Sequence, residues 1–286
     1  MLDAPFRGTP AVATGLVSRQ ELRGRRYRRL FPDVYASAAL VADLVLRSRA
    51  AYLWSGGRGI LGGYAAAAVL GADCAPADVP VEVILGRSHR RAPAGLVVRQ
   101  DELAGDEWRT TGGIDVTTPL RTAYDLARRD PLTEAVVALD ALSGRFGFAP
   151  VEVLTLAERY PGARGTLRLP EVVSLAEPAA ASAMESRLRL VLVLAGLPRP
   201  VAQHQVRDAD HRLVATVDLA YPDELIAIEY EGEDHFTDER GRRDVYRYTC
   251  LVDAGWRVYR HVARDVYHNP ARIVADISRA LHHLHL

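Results

Sequence analysis

The chain has 286 residues, 49% of them hydrophobic, and 36 acidic residues balance 36 basic ones, so its formal charge at pH 7 is zero. That length supports a full core and suggests two domains, while zero net charge removes any global attraction for nucleic acid and leaves DNA contact to local basic patches. Two well-separated cysteines, Cys74 and Cys250, fit a reducing cytoplasm and no disulfide or zinc framework, and neither a signal-type N-terminus nor a long apolar run points to secretion or membrane insertion.

In chain order, Ser18 is positioned to cap a short helix with Glu21 as its capping-box partner. The segment Arg23 to Arg29 then places arginine at five of seven positions around Tyr27, and Leu30 to Ala36 reads as a turn and strand. Arg25, Arg26, Arg28 and Arg29 are candidate phosphate contacts; the same run also suits a solvated basic face. A basic short helix followed by a strand pair resembles the tail of a winged helix-turn-helix, as at the start of abortive-infection antitoxin-type regulators. No additional helix is expected before Thr14.

In the middle region, the pattern predicts helices over Leu40 to Trp54 and Gly62 to Gly71, and strands over Val79 to Leu85 and Leu96 to Gln100. The basic turn between those strands adds Arg90 and Arg91 as phosphate candidates. Gly62-Gly63 lacks the pattern of a phosphate loop, and the chain has no lysine to complete one. Thr118-Pro119 starts another helix and Leu132 to Leu142 forms a further one. This succession also resembles the antitoxin-type family and holds no catalytic constellation, which implies a scaffold or a DNA-positioning role. Pro161 to Ala181 is the expected linker.

The C-terminal third carries the chemistry. Leu213 to Ala220 and Leu225 to Glu231 read as strands joined by Tyr221-Pro222-Asp223-Glu224, a hairpin in which Ala227 is expected opposite Asp218. The period of two then puts Asp218, Glu229 and Glu231 on one face, and Val217, Leu219, Ile226 and Ile228 on the other. Carboxylates held together repel and raise one another's pKa unless solvated, protonated or neutralised by a cation, and oxygen-only ligands suit Mg²⁺ or Mn²⁺. The spacing alone equally describes an edge hairpin with solvated acids. A helix over Asp238 to Ala254, with Val245, Tyr248, Leu251 and Val252 as its apolar positions, ends at Gly255; a strand over Trp256 to Arg260 and a helix from Pro270 to Leu284 close the chain. The histidines His282, His283 and His285 read as a helix tail.

The run Asp218, Glu229-Tyr230-Glu231-Gly232, His235, Asp244, Arg247, Leu251, Gly255-Trp256 and Arg260 resembles the nuclease-like domains grouped with very-short-patch-repair endonucleases, within the PD-(D/E)XK superfamily. The resemblance covers about residues 180 to 286. It implies a restriction-endonuclease-like α-β-β-α-β-α domain in which Glu185, Asp218, Glu229, Glu231 and His235 are catalytic. Asp218, Glu229 and Glu231 would be the metal ligands, and Glu231 stands where the superfamily's usual lysine would be. Arg243 and Arg247 are its candidate phosphate contacts. The whole chain is therefore expected to be α/β (α+β), with a partial winged-helix-like region at 1–40, an α/β scaffold at 41–178 and the endonuclease-like domain at 179–286. The implied function is a cytoplasmic, Mg²⁺- or Mn²⁺-dependent DNA endonuclease, with RNA substrates and a homodimer left open. The alternative is a non-catalytic DNA-binding regulator or antitoxin that retains a nuclease fold.

Overall fold

The computed structural model describes residues 3–87, 90–208, 210–232 and 238–282, except for the side chains from 238 to 245. The fold is mixed α+β and divides into two compact units, Met1–Val173 and Ser174–Leu286.

Unit 1 begins with β1 (Phe6–Arg7), α1 (Gly8–Ala13), α2 (Arg19–Arg23), β2 (Tyr27–Phe31) and β3 (Val34–Ser37), the strands pairing antiparallel in the order β1-β3-β2. Helix α1 lies before Thr14, where the sequence pattern had suggested no helix; its six residues are too few to display a period. The cap at Ser18 forms as expected, with the hydroxyl accepting the Glu21 N–H and the Glu21 carboxylate accepting the Ser18 N–H, an arrangement that stabilises a helix start by about 1 kcal/mol. Ala11, Val17 and Tyr27 form a small core beneath these elements.

There follow α3 (Leu44–Ser55), β4 (Ile60–Gly62), α4 (Gly63–Leu70), β5 (Val81–Ile84), β6 (Leu96–Arg99), β7 (Trp108–Thr111), β8 (Ile114–Thr117), α5 (Pro119–Arg129), α6 (Leu132–Phe146), α7 (Glu152–Ala157) and, after a single 3-10 turn, α8 (Leu169–Leu175). The sheet order is β6-β5-β4-β8-β7. Phe31 and Val34 share one core with Ala50, Trp54, Leu61, Ala65, Val81, Val83 and Val116. That shared core is why residues 1–40 and the middle region fall in one unit. Thr118 caps α5 through the Arg121 N–H at 3.3 Å, with Pro119 in the first turn where its missing N–H costs nothing. The expected linker is partly ordered into the 3-10 turn and α8. Gly165 there has φ +88°, and a Cβ on it would lie 2.0 Å from the Arg128 carbonyl oxygen, so only glycine allows this approach to α5.

Unit 1 also buries an ionic network. Arg121, 1% exposed, donates to Asp125 at 2.9 Å, Glu107 at 2.5 Å, Asp101 at 2.6 Å and the Tyr160 hydroxyl at 3.0 Å. Arg128 and Arg129 add further contacts to Asp125, and Arg129 reaches Glu82. Burial opposes the Arg121 charge, but Asp125, Asp101 and Glu107 outweigh it and drive the guanidinium pKa upward.

Unit 2 runs α9 (Ala183–Leu194), β9 (Val201–Arg207), β10 (Leu213–Tyr221), β11 (Ile226–Glu231), α10 (Asp238–Asp253), β12 (Arg257–Val262), α11 (Ala263–His268) and α12 (Pro270–His282). Its sheet has the order β12-β11-β10-β9, with β11 and β12 parallel and the other pairs antiparallel. Helix α10 is therefore the crossover that a parallel pair requires. Strand β9 and helix α11 are additions to the expected α-β-β-α-β-α order.

The hairpin register differs from expectation. Tyr221 pairs with Ile226, Ala220 with Ala227 and Leu219 with Ile228. The loop is thus Pro222 to Leu225, Tyr221 stays in the strand with its hydroxyl on the Pro198 carbonyl, and Ala227 faces Ala220 instead of Asp218. The offset is two residues, so the predicted parity survives for most positions. Leu219, Tyr221, Ile226 and Ile228 pack with Leu188, Leu192 and Ile273, whereas Ala215, Val217, Ala220 and Ala227 pack with Leu251 and Trp256. Val217 therefore leaves the face it was expected to share with Leu219. The alternation slips at Asp218, beside Gln203 of β9, whose φ is +50°.

Candidate functional site

The acids meet where that slip occurs. Ser182 caps α9 by accepting the Glu185 N–H at 3.2 Å, and Glu185 turns its own carboxylate back to accept the Ala181 N–H at 2.9 Å and the Gln203 amide at 2.8 Å. A carboxylate is favoured at a helix N-terminus by the exposed N–H groups there. Glu185 is buried, as is Glu229 at 4% exposure. Asp218 Oδ2 accepts the Tyr230 N–H at 2.8 Å, so a side chain bonds β11 just beyond the last ladder pair. Burial first, then the charges of Glu185 and Glu229, push the Asp218 carboxyl up to about 6, against the pull of the Tyr230 N–H and Arg247. Helix α9, strand β10 and strand β11 each contribute one acid to this cluster.

Helix α10 reaches the same place from the other side of the sheet. Arg247 Nη2 donates to Glu229 Oε2 at 2.8 Å, the Tyr248 hydroxyl donates to the same oxygen at 2.6 Å, and Arg247 Nη1 reaches the Thr216 carbonyl at 3.4 Å. Burial, together with the Glu229 hydrogen bond and charge, raises the Tyr248 hydroxyl to about 12, so it remains a donor at neutral pH. Glu229 Oε1 is buried with no hydrogen-bond partner among the described residues. Glu231, two residues on, forms an ion pair with Arg260 of β12, whose guanidinium lies 4.4 Å from the Tyr248 ring centroid.

Glu185, Asp218 and Glu229 are thus brought within electrostatic reach of one another, while Glu231 is tied to Arg260. Among the described residues, no three His, Cys, Asp or Glu side chains stand grouped as a preassembled metal site. The donor chemistry nevertheless suits a hard cation: all oxygen, one carboxyl raised by burial and by its neighbours' charges, and one buried carboxylate oxygen without a partner among the described residues. His235 and the side chain of Arg243 lie outside the described residues, as do His283 and His285.

The basic candidates differ in availability. Arg25 and Arg91 are exposed, and so is Arg29, whose Nε sits 3.4 Å from the Phe31 carbonyl. Arg26 is paired with Glu21 at 2.9 Å, and Arg28 is half-buried in β2. Arg90 is folded onto Trp54, 3.8 Å from its ring centroid and donating to its carbonyl at 2.7 Å, which commits its guanidinium to unit 1. Gln203 and the polar role of Tyr248 escaped the sequence reading. Tyr248 had been counted among the apolar positions of its helix, and Val252, from the same set, is exposed.

Over 254 residues, 88% of this chain, the sequence is 32% identical to Uncharacterized protein Rv2248 of Mycobacterium tuberculosis (strain ATCC 25618 / H37Rv), of which 92% is covered. The chain belongs to the family of that protein. Uncharacterized protein MT2308 of strain CDC 1551 / Oshkosh matches this family member with the same identity and coverage. No family model matches the chain. A crystal structure of the RV2827C protein from Mycobacterium tuberculosis is similar with a TM-score of 0.40 and 15% identity, covering 73% of this chain and 85% of that one. Among the described residues no helix is long and apolar enough to cross a membrane.

Proposed function

We propose that unit 2 is a metal-dependent DNA endonuclease of the cytoplasm and that the arginine-rich segment of unit 1 holds its DNA. The observation that carries the reading is the convergence of Glu185, Asp218 and Glu229, with Asp218 pushed up to about 6 and a buried Glu229 oxygen that has no partner among the described residues. A fold keeps such a group when a ligand completes it. Asp218 and Glu229 would hold Mg²⁺ or Mn²⁺, with Glu231 and Glu185 at its margin. When bound, the ion supplies positive charge that polarises the scissile phosphate and promotes ionisation of the attacking water. The chain's own part is positional. Tyr230 fixes one Asp218 oxygen, Gln203 and the α9 terminus fix Glu185, Arg247 and Tyr248 fix one Glu229 oxygen, and His235 is the general acid or base.

The test is cleavage of supercoiled plasmid, mismatched duplex, single-stranded DNA and structured RNA in Mg²⁺ or Mn²⁺, comparing wild type with Glu229→Gln. Cleavage of DNA by the wild type, lost by at least a hundredfold in the variant, is the expected result. Cleavage of RNA alone changes the substrate class. One observation favours a second reading, that of a DNA-binding regulator with a retained nuclease fold: Arg247 and Arg260 already neutralise Glu229 and Glu231. DNA binding without cleavage of any substrate selects it.

DNA binding has its own test. Replacing Arg25, Arg26, Arg28 and Arg29 by glutamine is expected to weaken duplex binding and flatten its salt dependence, each lost phosphate contact removing about one from the slope of log K against log salt. Because Arg26 is held by Glu21 and Arg28 is half-buried, the expected loss is about two instead of four. Unchanged binding at every salt concentration makes the run an ordinary solvated face.

A further inference from the structure

Arg247 stands at an unusual junction. Its Nη2 is 2.8 Å from Glu229 Oε2 and 3.2 Å from the Tyr248 hydroxyl, and its side chain is only 33% exposed, against 5% for that of Glu229. Glu229 is one of the two carboxylates assigned above to the metal, so the guanidinium neutralises the charge that a divalent cation would otherwise neutralise. Two cations drawn to one carboxylate compete by Coulomb repulsion, and in a partly buried site that repulsion is poorly screened. The planar guanidinium is equally suited to carboxylate and to phosphate. Tyr248 differs in kind: it is a neutral donor to the same oxygen and holds the carboxylate in place without competing for its charge.

We propose that Arg247 is a resident counter-ion shared between Glu229 and the nucleic-acid backbone: it neutralises Glu229 in the metal-free protein and turns to a phosphate oxygen once a divalent cation has taken its place. This inference rests on the endonuclease reading. It makes Arg247 a positioning residue that holds the acidic cluster together in the resting state and links metal binding to phosphate capture. Because binding linkages are reciprocal, whatever draws Arg247 away from Glu229 also favours the cation, so nucleic acid and metal assist each other through this one side chain.

The experiment is Mn²⁺ binding to the full chain by isothermal titration calorimetry, for wild type, Arg247→Gln, Arg247→Lys, Tyr248→Phe and Glu229→Gln. Duplex DNA binding is measured alongside as a function of salt, in EDTA and in Ca²⁺. Removal of the competing charge in Arg247→Gln is expected to tighten Mn²⁺ about fivefold. Arg247→Lys, which keeps the charge, stays nearer to wild type, and so does Tyr248→Phe. In EDTA, Arg247→Gln and wild type show the same salt slope; in Ca²⁺ the wild-type slope is steeper by about one. The inference is overturned if Arg247→Gln binds Mn²⁺ no tighter than wild type, or if its slope differs from wild type equally with and without Ca²⁺. If wild type binds no Mn²⁺, or Glu229→Gln binds it as well as wild type, the endonuclease reading falls and takes the inference with it. Mn²⁺ held through Glu229 but indifferent to Arg247 removes the inference alone.

Discussion

Asp218→Asn is expected to abolish Mg²⁺-dependent cleavage while making the metal-free protein more stable at pH 7.5. The Asp218 carboxyl is raised from 3.8 to about 6, so folding costs free energy wherever that group is ionised in both states. Above pH 6 the whole penalty applies. As pH falls from 6 towards 4 the folded state takes up a proton that the unfolded state does not, and the penalty disappears. At face value the shift corresponds to about 3 kcal/mol, reduced to about 1–2 kcal/mol by the solvent that reaches a half-buried group. The asparagine carbonyl can still accept the Tyr230 N–H, so the bond between β10 and β11 survives. Calorimetry in EDTA should therefore show the variant melting roughly 4–8 °C above wild type at pH 7.5 and together with it at pH 4. A variant that melts lower at pH 7.5 means that Asp218 is stabilising as a carboxylate, and the electrostatic case for the site fails.

A larger effect is expected in unit 1. Arg121→Ala leaves Glu107, at 2% side-chain exposure, without its principal cation, and takes from the fully buried Asp125 the partner of its Oδ2, leaving Arg128 and Arg129 on Oδ1. Breaking a buried ion pair from one side costs about 3–5 kcal/mol, a large part of the 5–15 kcal/mol that typically holds a domain folded. Arg121→Lys should recover little, because one ammonium cannot replace the three nitrogens that reach Asp125, Glu107 and Asp101. Urea denaturation measures both. A loss under about 1 kcal/mol for Arg121→Ala shows that the acids find water or protons instead, and that the network is not a stability element.

Local chemistry made some elements legible and left others hidden. Thr118-Pro119 announced α5, and Ser18 with Glu21 announced α2, because capping depends on neighbours in sequence. Asp218 and Glu229 stood out because two apolar-rich strands flank a turn. Strand β9 was invisible: Gln203, His204 and Gln205 at its centre give no apolar alternation, and it is an edge strand paired only with β10 among the described strands. The β7–β8 hairpin carried an unused signal. Gly112-Gly113, at φ +56° and +76°, is the two-residue loop that matches strand twist, but β7 is so exposed that its residues show no burial period. The slip at Asp218 depends on β9 lying alongside, and no local pattern encodes it. Nor can a helical period say which polar group of α10 will meet an acid of the sheet, which is why Tyr248, rightly read as an apolar position since its ring packs on the Leu251 and Trp256 core, gave no sign of its hydroxyl contact, and Arg247 no sign of its pairing with Glu229.

Several arginines are stacked on rings: Arg90 on Trp54, Arg128 against Tyr124, Arg121 against Tyr160 and Arg260 on Tyr248. A guanidinium is the cation in each of these contacts, and in a chain without lysine every side-chain cation other than histidine is of this kind. A guanidinium keeps its charge far above neutral pH, so alkaline conditions that discharge ammonium groups leave this protein's positive surface intact. Acetyl transfer to lysine, a common way for cells to cancel such charge, finds no target on these side chains. The pH response is left to acids and histidines in unusual settings: Asp218 and Asp130, raised by burial, and His261, lowered by burial. Its arginine surface is in that sense permanent, and only its acids and histidines are adjustable.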